Sequence, residues 1–188
     1  MKLIEQYRKK VIPSLKEKFN YKSVMACPKI EKIVINAGIG RLVSGKTSDE
    51  QKKIIDTVIE DMALIAGQRP IVIKAKKSIS AFKLREGMPV GVKVVLRGKK
   101  MYDFLERLIN IVFPRVRDFR GVDLKSFGLK GSLTVGFKEH TVFPEILPEK
   151  TKTIFGFELT IVTTAKTKEE GIELLKLIGF PFKKEDSK

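Results

Sequence analysis

The chain has 188 residues, 43% of them hydrophobic, and its 38 Lys and Arg against 22 Asp and Glu give a formal net charge of +16. This length suffices for the core of one domain or two small ones, and we favour one. A charge so far from zero indicates a polyanionic partner, either nucleic acid or anionic lipid. The single Cys and single His exclude an internal disulfide framework and argue against a structural zinc site.

The positive charge is concentrated in the first half of the chain. Residues 1–102 carry 23 Lys and Arg against 9 acids, a net of +14, whereas residues 103–188 carry 15 against 13, a net of +2. The first half is therefore expected to supply the polyanion-binding face. No apolar run approaches the roughly 18 residues of a membrane span, and no signal peptide is recognised, so we expect a cytoplasmic protein without a membrane partner.

The first half of the chain predicts two helices and a strand. Apolar residues recur every fourth position from Leu3 to Phe19, which predicts an amphipathic helix that is interrupted or bent at Pro13. Residues 30–40 predict a strand that ends in two glycines. Ser48 then opens a capping box, and the apolar positions that follow predict a helix up to Gly67.

The rest of the chain predicts strands that are neighbours in sequence. Residues 70–76 and 90–98 read as two strands that pair across a basic loop, and residues 133–137 and 156–164 read as two more. A helix begins at Tyr102 and stops at Pro114, and a last helix runs from a capping box at Thr167 to Gly179. Four helices and about five strands predict an α+β fold, with helices packed on one face of a mostly antiparallel sheet and a long basic loop.

The domain organisation follows from these elements. We expect a single domain over residues 1–182, with an N-terminal half over about 1–98 that carries the polyanion-binding surface and a C-terminal half over about 99–182. The tail at 183–188 is expected to be disordered, because it is short, terminal and strongly charged.

Residues 40–47 match the phosphate-binding P-loop pattern G-x-x-x-x-G-K-[ST], between a predicted strand and a predicted helix. In such a site backbone amides cradle the β-phosphate, Lys46 reaches the γ-phosphate and Thr47 ligates magnesium. The alternative function is therefore that of a P-loop nucleotide-binding protein using Gly40–Thr47.

Three features weigh against a P-loop. The predicted helix begins at Ser48, after the Lys and Thr whose amides should face the phosphate. No later strand ends in an Asp that could hold the metal. The chain also lacks the alternating strand and helix order of a parallel nucleotide-binding sheet. The other interpretation is a flexible loop rich in Gly, Ser and Lys.

A second phosphate-binding candidate is the stretch from Lys74 to Lys100, in which nine cations share the sequence with one acid, Glu86. Cations and hydroxyls surround Phe82 in a segment too polar for a core. This mixture suits a phosphate backbone with a stacked base or ribose, and a solvated charged loop is the alternative.

Single residues give weaker signals. Asn36, polar in an apolar strand, either caps a turn or faces a partner. His140 has no nucleophile nearby, so a surface or strand-end His is favoured over a catalytic one. Phe155 and Phe157 are expected to be core.

Taken in order, these segments resemble the large-subunit ribosomal protein five family, the bacterial type of 5S-rRNA-binding ribosomal protein. The matching stretches are PKIEKIVINAGIG at 28–40, ALIAGQRPIVIKAKKSISAFKLREGMPVGVKVVLRG at 63–98, MYDFLERL at 101–108, PRVRDFRGV at 114–122, FPEI at 143–146 and IVTTAKTKEEGIELLKLIGFPF at 161–182. Several collinear motifs over nearly the whole chain make this resemblance far more specific than the eight-residue P-loop match.

The resemblance implies a single α+β domain with an antiparallel sheet, located in the central protuberance of the large ribosomal subunit. It implies binding to 5S rRNA, contacts with 23S rRNA and P-site tRNA, and a bridge to the small-subunit head through protein thirteen. The protein would be a monomer within the ribosome and not an enzyme, with no catalytic residue, metal or cofactor.

The resemblance also assigns residues to these partners. It places 5S rRNA on Lys32, Asn36, Gly38 and Gly40, with Arg69 and Lys74 as neighbours. It places the tRNA elbow on Lys76, Lys77, Ser78, Ser80, Phe82 and Lys83. Apart from the resemblance, Arg115, Arg117 and Arg120, near Phe113 and Phe119 in sequence, are candidates for an intersubunit or rRNA contact, with a solvated loop as the favoured alternative.

The chain departs from the family pattern in one turn. Where the family usually reads S-F-D-G-R-G-N-Y, residues 126–133 read S-F-G-L-K-G-S-L, without the acid and the tyrosine. A contact made by this turn in the family is therefore not expected to carry over.

Overall fold

The computed structural model describes residues 3–82, 84–147, 149, 151 and 153–183. Five strands of this part of the chain form one antiparallel sheet with the order β2-β3-β1-β5-β4. The strands are β1 Ile30–Gly38, β2 Ile71–Lys74, β3 Pro89–Leu96, β4 Leu133–Phe137 and β5 Phe157–Thr163. The expected pairing of β2 with β3 is confirmed, with Ile71 opposite Lys93. The predicted α+β class is confirmed as well.

Seven helical segments accompany the sheet in the described residues. They are α1 Leu3–Gln6, α2 Ile12–Phe19, α3 Gly40–Val43, α4 Ser48–Ala66, α5 Gly98–Arg107, α6 Phe113–Arg115 and α7 Lys168–Ile178. A π-helical turn at Tyr7–Val11 joins α1 to α2, and another at Leu108–Val112 joins α5 to α6. Each of these pairs is therefore one continuous helix, and the long helices of the described chain correspond to the four that were predicted.

Pro13 and Pro114 lie within these helices instead of ending them. Proline lacks an N–H, and its ring collides with the carbonyl four residues earlier, so a regular α-helix does not accommodate it. In both helices a π turn comes immediately before the residue that precedes the proline: Ile12 donates to the Tyr7 carbonyl and Phe113 to the Leu108 carbonyl. The wider π turn shifts the pairing of N–H groups with carbonyls at the place where the proline ring needs room. The helix ends at Arg115, one residue after the predicted stop at Pro114.

Alternate residues of two strands, β1 and β5, are buried. In β1, Ile33, Ile35 and Ala37 are inaccessible to solvent, whereas Asn36 and Gly38 between and after them are exposed. β5 follows the same rule, with its odd-numbered residues buried and the intervening ones accessible. One side of β1 and of β5 thus packs into a core and the other is open, which agrees with helices on one face.

The chain folds as two compact units, each built from separate stretches. One comprises residues 1–33, 96–135 and 160–188, and the other comprises residues 34–95 and 136–159. Within the first, Phe113 stacks on Phe119 at 4.8 Å between ring centroids and meets the edge of Phe180 at 5.1 Å. Within the second, Phe137 stacks on Phe157 at 4.9 Å. Phe155 and Phe157 are both buried, as expected.

A close backbone approach fixes α7 in the first unit. A Cβ built on Gly171 would collide with the backbone of Gly131, which itself has φ +68. The carbonyl of Gly131 also accepts a hydrogen bond from Thr163 Oγ1 at 3.0 Å. The two glycines hold the turn at 128–132 against the first turn of α7, so the altered family motif lies on a rigid support.

Candidate nucleic-acid interface

The open side of β1 collects three of the residues that the sequence assigned to RNA. Lys32, Asn36 and Gly38 alternate with buried residues, so the side chains of Lys32 and Asn36 and the bare backbone of Gly38 share the solvent face of the strand. Lys32 is half-buried, and its Nζ lies 3.5 Å from Glu31 Oε1. Asn36 is exposed. The interpretation that Asn36 faces outwards, instead of capping a turn, is therefore the one that the structure favours.

A groove of about 490 Å³ lies beside Asn36 in the second unit. Its lining residues are Asn36, Gly38, Gly136, Phe137, Lys138, Gly156, Phe157 and Glu158. Those from β4 and from the start of β5 were not among the residues predicted from the sequence. The period-two pattern of the two strands was the available signal, because it places Gly136 and Glu158 on the exposed side.

At two positions in the groove, nothing within the protein itself requires the residue to be glycine. A Cβ on Gly38 or Gly136 would meet no atom within 4 Å, and neither residue has a positive φ. Gly156 differs, because its Cβ would lie 2.9 Å from the Phe137 carbonyl. Bare backbone at Gly38 and Gly136 leaves room for a ligand to approach the sheet closely.

Charge in the groove is balanced. Lys138 and Glu158 both line it, and both are exposed. A balanced groove orients a ligand through hydrogen bonds and shape more than through net attraction. The amide of Asn36 has both donors and an acceptor for this purpose.

The remaining residues assigned to 5S rRNA lie apart from the groove lining. Gly40 begins the short helix α3, and the preceding residue Ile39 is tied to β3 through a hydrogen bond to the Val90 carbonyl at 3.0 Å. Arg69 lies in the turn before β2, and Lys74 ends β2. Both are exposed.

The basic loop between β2 and β3 is a hydrogen-bonded hairpin. At its base Ala75 donates to the Met88 carbonyl at 2.8 Å. Near its tip Ile79 and Leu84 exchange two backbone hydrogen bonds of 3.0 and 3.1 Å. We call residues 75–88 the basic hairpin. These bonds give it a defined shape that the sequence pattern did not indicate.

The basic hairpin presents cations and one aromatic ring to solvent. Lys76 and Lys77 are exposed, as is Ser80, and Phe82 keeps 70% of its surface accessible. Ser78 has an internal role, because its Oγ accepts a hydrogen bond from the Glu86 amide at 2.9 Å. Lys83, the remaining residue assigned to tRNA, lies outside the described residues.

The three arginines of the second half belong to the other unit. Arg115 ends α6, and Arg117 and Arg120 follow in the loop, all three exposed. The loop turns at Asp118, which has φ +54. The half-buried ring of Phe119 anchors the loop on the aromatic core.

The P-loop match is not a phosphate cradle. Instead of a loop leading directly into a long helix, it begins with α3, and the amides of Leu42, Val43, Ser44 and Lys46 all donate to carbonyls of residues 39–43. Those amides are not free to bind phosphate.

Thr47 is the N-cap of α4, one residue before the predicted capping residue Ser48. Its hydroxyl donates to Glu50 Oε2 at 2.9 Å, and its N–H donates to the same oxygen at 3.0 Å. These hydrogen bonds hold the pKa of the Glu50 carboxyl below its usual range. The Thr47 side chain therefore serves the helix and is not placed to ligate magnesium.

The described residues include no group of three or more His, Cys, Asp or Glu side chains arranged to hold a metal ion. None of the helices described here is both long and apolar enough to cross a membrane.

Comparison with known families decides the identity of the chain. Residues 23–85 match the family model described as ribosomal protein L5, and residues 89–182 match the model for the C-terminus of the same ribosomal family. The chain belongs to the ribosomal protein L5 family. Members of the L5 family are structural proteins of the ribosome, which is cytoplasmic in bacteria, and they are not enzymes. The expectation of a non-enzymatic ribosomal protein is confirmed.

Individual L5 proteins align with almost the entire chain. The large ribosomal subunit protein uL5 of Desulforapulum autotrophicum is 55% identical over 181 residues, covering 96% of this chain and 98% of its own length. The uL5 proteins of Brevibacillus brevis and Halothermothrix orenii are 52% and 51% identical over 183 and 180 residues. These alignments cover 97% and 96% of this chain, and 98% and 97% of the relatives.

Proposed function

We propose that this protein is a structural constituent of the large ribosomal subunit that holds 5S rRNA on the open side of its sheet. The observation that carries the proposal is the groove beside Asn36, where Gly38 and Gly136 leave backbone uncovered without any internal need for glycine. A folded RNA can bring ribose and base edges close to such a surface, and the Asn36 amide supplies directional hydrogen bonds. Lys32, Gly40, Arg69 and Lys74, which lie outside the groove lining, are proposed as further 5S rRNA contacts.

The basic hairpin is proposed to contact P-site tRNA. Its exposed lysines neutralise phosphates, and Phe82 offers an exposed ring for packing against a base or ribose. The hydrogen bonds at its base and near its tip support a projecting contact, because they fix its shape without using the cationic side chains.

Contacts with 23S rRNA and with the small-subunit head complete the proposal. The loop with Arg115, Arg117 and Arg120 exposes three guanidinium groups that suit either rRNA phosphates or carboxylates of small-subunit protein thirteen. The nearly balanced charge of residues 103–188 favours a protein partner for this half.

The experiment that tests the proposal separates the groove from the basic hairpin. Asn36→Ala and Gly136→Ala should weaken binding to isolated 5S rRNA roughly 10-fold or more, because one removes hydrogen bonds and the other places a methyl group in the groove. Lys76→Ala combined with Lys77→Ala should leave 5S rRNA binding nearly intact and weaken tRNA contact on the ribosome. Filter binding with labelled 5S rRNA and tRNA protection on reconstituted ribosomes measure the two effects.

Gly136→Ala is a clean probe because the structure has room for the methyl group, so its unfolding midpoint should match that of the wild type. Equal loss of 5S rRNA affinity in the groove variants and the hairpin double variant would contradict the division of the two surfaces. Unchanged 5S affinity in both groove variants would remove the groove from the proposal.

A further inference from the structure

We propose that the first unit carries a second RNA-binding surface, built on the N-terminal helix and on the turn at residues 23–27. This inference rests on the proposed function in one respect, namely that the chain binds ribosomal RNA. It assigns a separate RNA segment to residues distinct from the groove and the basic hairpin.

The N-terminal helix buries one face and exposes cations around the rest of its circumference. Leu3, Val11 and Leu15 pack into the core of the first unit. Arg8, Lys9 and Lys10, all within the π turn, are exposed, and so is Lys16 about one and a half turns later. We call these four residues the helical cation row.

Within the described residues the helical cation row has no close ionic partner, and the acids exposed on the same helix are Glu5 and Glu17. Lys18, on the same helix, is paired with Glu173 at 2.6 Å between Nζ and Oε2. The four side chains of the row, in contrast, have neither an ion pair nor a hydrogen bond to any described residue. Cations left unpaired beside paired ones indicate a surface available to an external anion.

Neighbouring elements of the first unit extend the positive surface. The charge of Arg8 lowers the pKa of Tyr102, although burial of that phenol has the larger effect and raises it overall. Arg8 therefore lies beside α5, whose N-terminal end exposes Lys99 and follows Arg97. The charge of Lys16 likewise lowers the pKa of the Cys27 thiol against the larger effect of burial, so Lys16 lies beside the turn.

The turn next to Lys16 presents an apolar side chain in a fixed position. Met25 keeps 88% of its surface accessible. Its amide donates to Ser23 Oγ at 3.3 Å, and the amide of Cys27 donates to the Val24 carbonyl at 3.2 Å. Tyr7 further fixes the end of the turn by donating to the Pro28 carbonyl at 3.1 Å.

RNA fits this combination better than a membrane does. An amphipathic helix binds lipid through its apolar face, and the apolar face of this helix is already buried. The residues from Lys9 to Lys16 extend over about 10 Å of helix axis, which spans several phosphates of a folded strand. Met25 can pack against a ribose or base beside them, since a thioether adapts to irregular surfaces.

The test uses the full chain with saturating unlabelled 5S rRNA and a labelled A-form RNA hairpin as the second ligand. R8Q/K9Q/K10Q removes three cations and keeps residues with good helix propensity. The slope of log affinity against log salt for the second RNA should become shallower by about 2 to 3, since each lost phosphate contact contributes roughly 0.7–0.9. Affinity for 5S rRNA in the absence of the second RNA should change less than about threefold.

The matched control is K46Q/K52Q/K53Q, which lowers the net charge equally, at Lys46 just before α4 and at two lysines of its first turns, where acids such as Asp49 and Asp56 are close in sequence. Its slope for the second RNA should change by less than about 1. Met25→Ser should weaken the second RNA about 3- to 10-fold without changing the slope, whereas Leu129→Ser, at another exposed apolar residue, should not weaken it.

Three outcomes would overturn the proposal. Equal effects of the two triple variants would show that the helix contributes net charge alone. Loss of 5S rRNA affinity in R8Q/K9Q/K10Q would make the helix part of the 5S site. Displacement of the RNA hairpin by polyglutamate as readily as by unlabelled RNA would indicate a surface for acidic protein. A failure of the proposed function would be seen in a different measurement, because Asn36→Ala would then bind 5S rRNA as tightly as the wild type does.

Discussion

At the scale of single residues, His140 differs most from its expected environment. It is fully buried instead of lying at the surface, and its ring stacks on Phe155 at 4.0 Å. The Phe155 amide donates to Nδ1 at 3.4 Å, so the neutral ring carries its proton on Nε2. Nε2 lies 3.4 Å from Asp61 Oδ2. Of the two expected positions, at the surface or near a strand end, the surface is wrong, because the partners that bury His140 come from positions distant in sequence, which no local pattern reveals.

This arrangement makes stability depend on pH. Burial lowers the pKa of His140, and the charges of Asp61 and Glu139 oppose that shift only in part. The unfolded chain therefore takes up the proton first, so stability is complete above the ordinary His pKa of about 6.5 and decreases as the pH falls below it. Burial and the charge of Glu60 raise the pKa of Asp61, against the opposing effect of His140. The folded chain therefore takes up this proton before the unfolded chain does, so protonation of Asp61 at lower pH increases stability.

His140→Asn tests this dependence, because an Asn oxygen can accept from the Phe155 amide but does not titrate. The chain has only this one His. The urea concentration at the unfolding midpoint of the wild type should decrease as the pH is lowered from about 7 to about 5.5. That of His140→Asn should stay nearly constant over the same pH range. Parallel curves for the two proteins would show that another group is responsible.

At the scale of elements, the segment at 40–47 shows how a sequence motif differs from a site. Thr47→Ala removes the N-cap of α4 and should lower the melting temperature by roughly 2–4 °C. Lys46→Ala should leave the melting temperature unchanged, because its exposed side chain forms no hydrogen bond or ion pair with the described residues.

Equilibrium binding with labelled ATP and magnesium should show no saturation for the wild type. Saturable binding that Lys46→Ala abolishes would restore the P-loop interpretation.

The elements were predictable where local chemistry determines them. Thr167 caps α7 and Gly179 ends it at φ +94, as the sequence pattern indicates. The helix end at Pro114 was not predictable, because a π turn lets the helix continue past the proline. Asn36 could be placed on a strand face from alternation. The groove beside Asn36 could not be predicted in the same way. Gly136 and Glu158 line it because of the order of the strands in the sheet, and period-two patterns do not encode that order.

At the scale of the whole molecule, a net charge of +16 and a neutral groove have different consequences for specificity. The charge attracts every polyanion, and this attraction weakens steeply with salt, by roughly 10³- to 10⁵-fold between about 50 and 200 mM for 6–10 phosphate contacts. The proposed RNA hydrogen bonds from Asn36 and the proposed close contacts at Gly38 and Gly136 would release no counterions, so their contribution should survive at higher salt.

The preference for 5S rRNA over tRNA and duplex DNA should therefore increase with ionic strength. A competition assay with labelled 5S rRNA should show similar inhibition by all three unlabelled competitors near 50 mM salt, and effective inhibition by 5S rRNA alone near 200 mM. Asn36→Ala should lose this gain in selectivity while keeping the same salt slope, because it removes no charge. If selectivity stayed constant or decreased with salt, recognition would be electrostatic, and the basic surfaces instead of the groove would have to discriminate between RNAs.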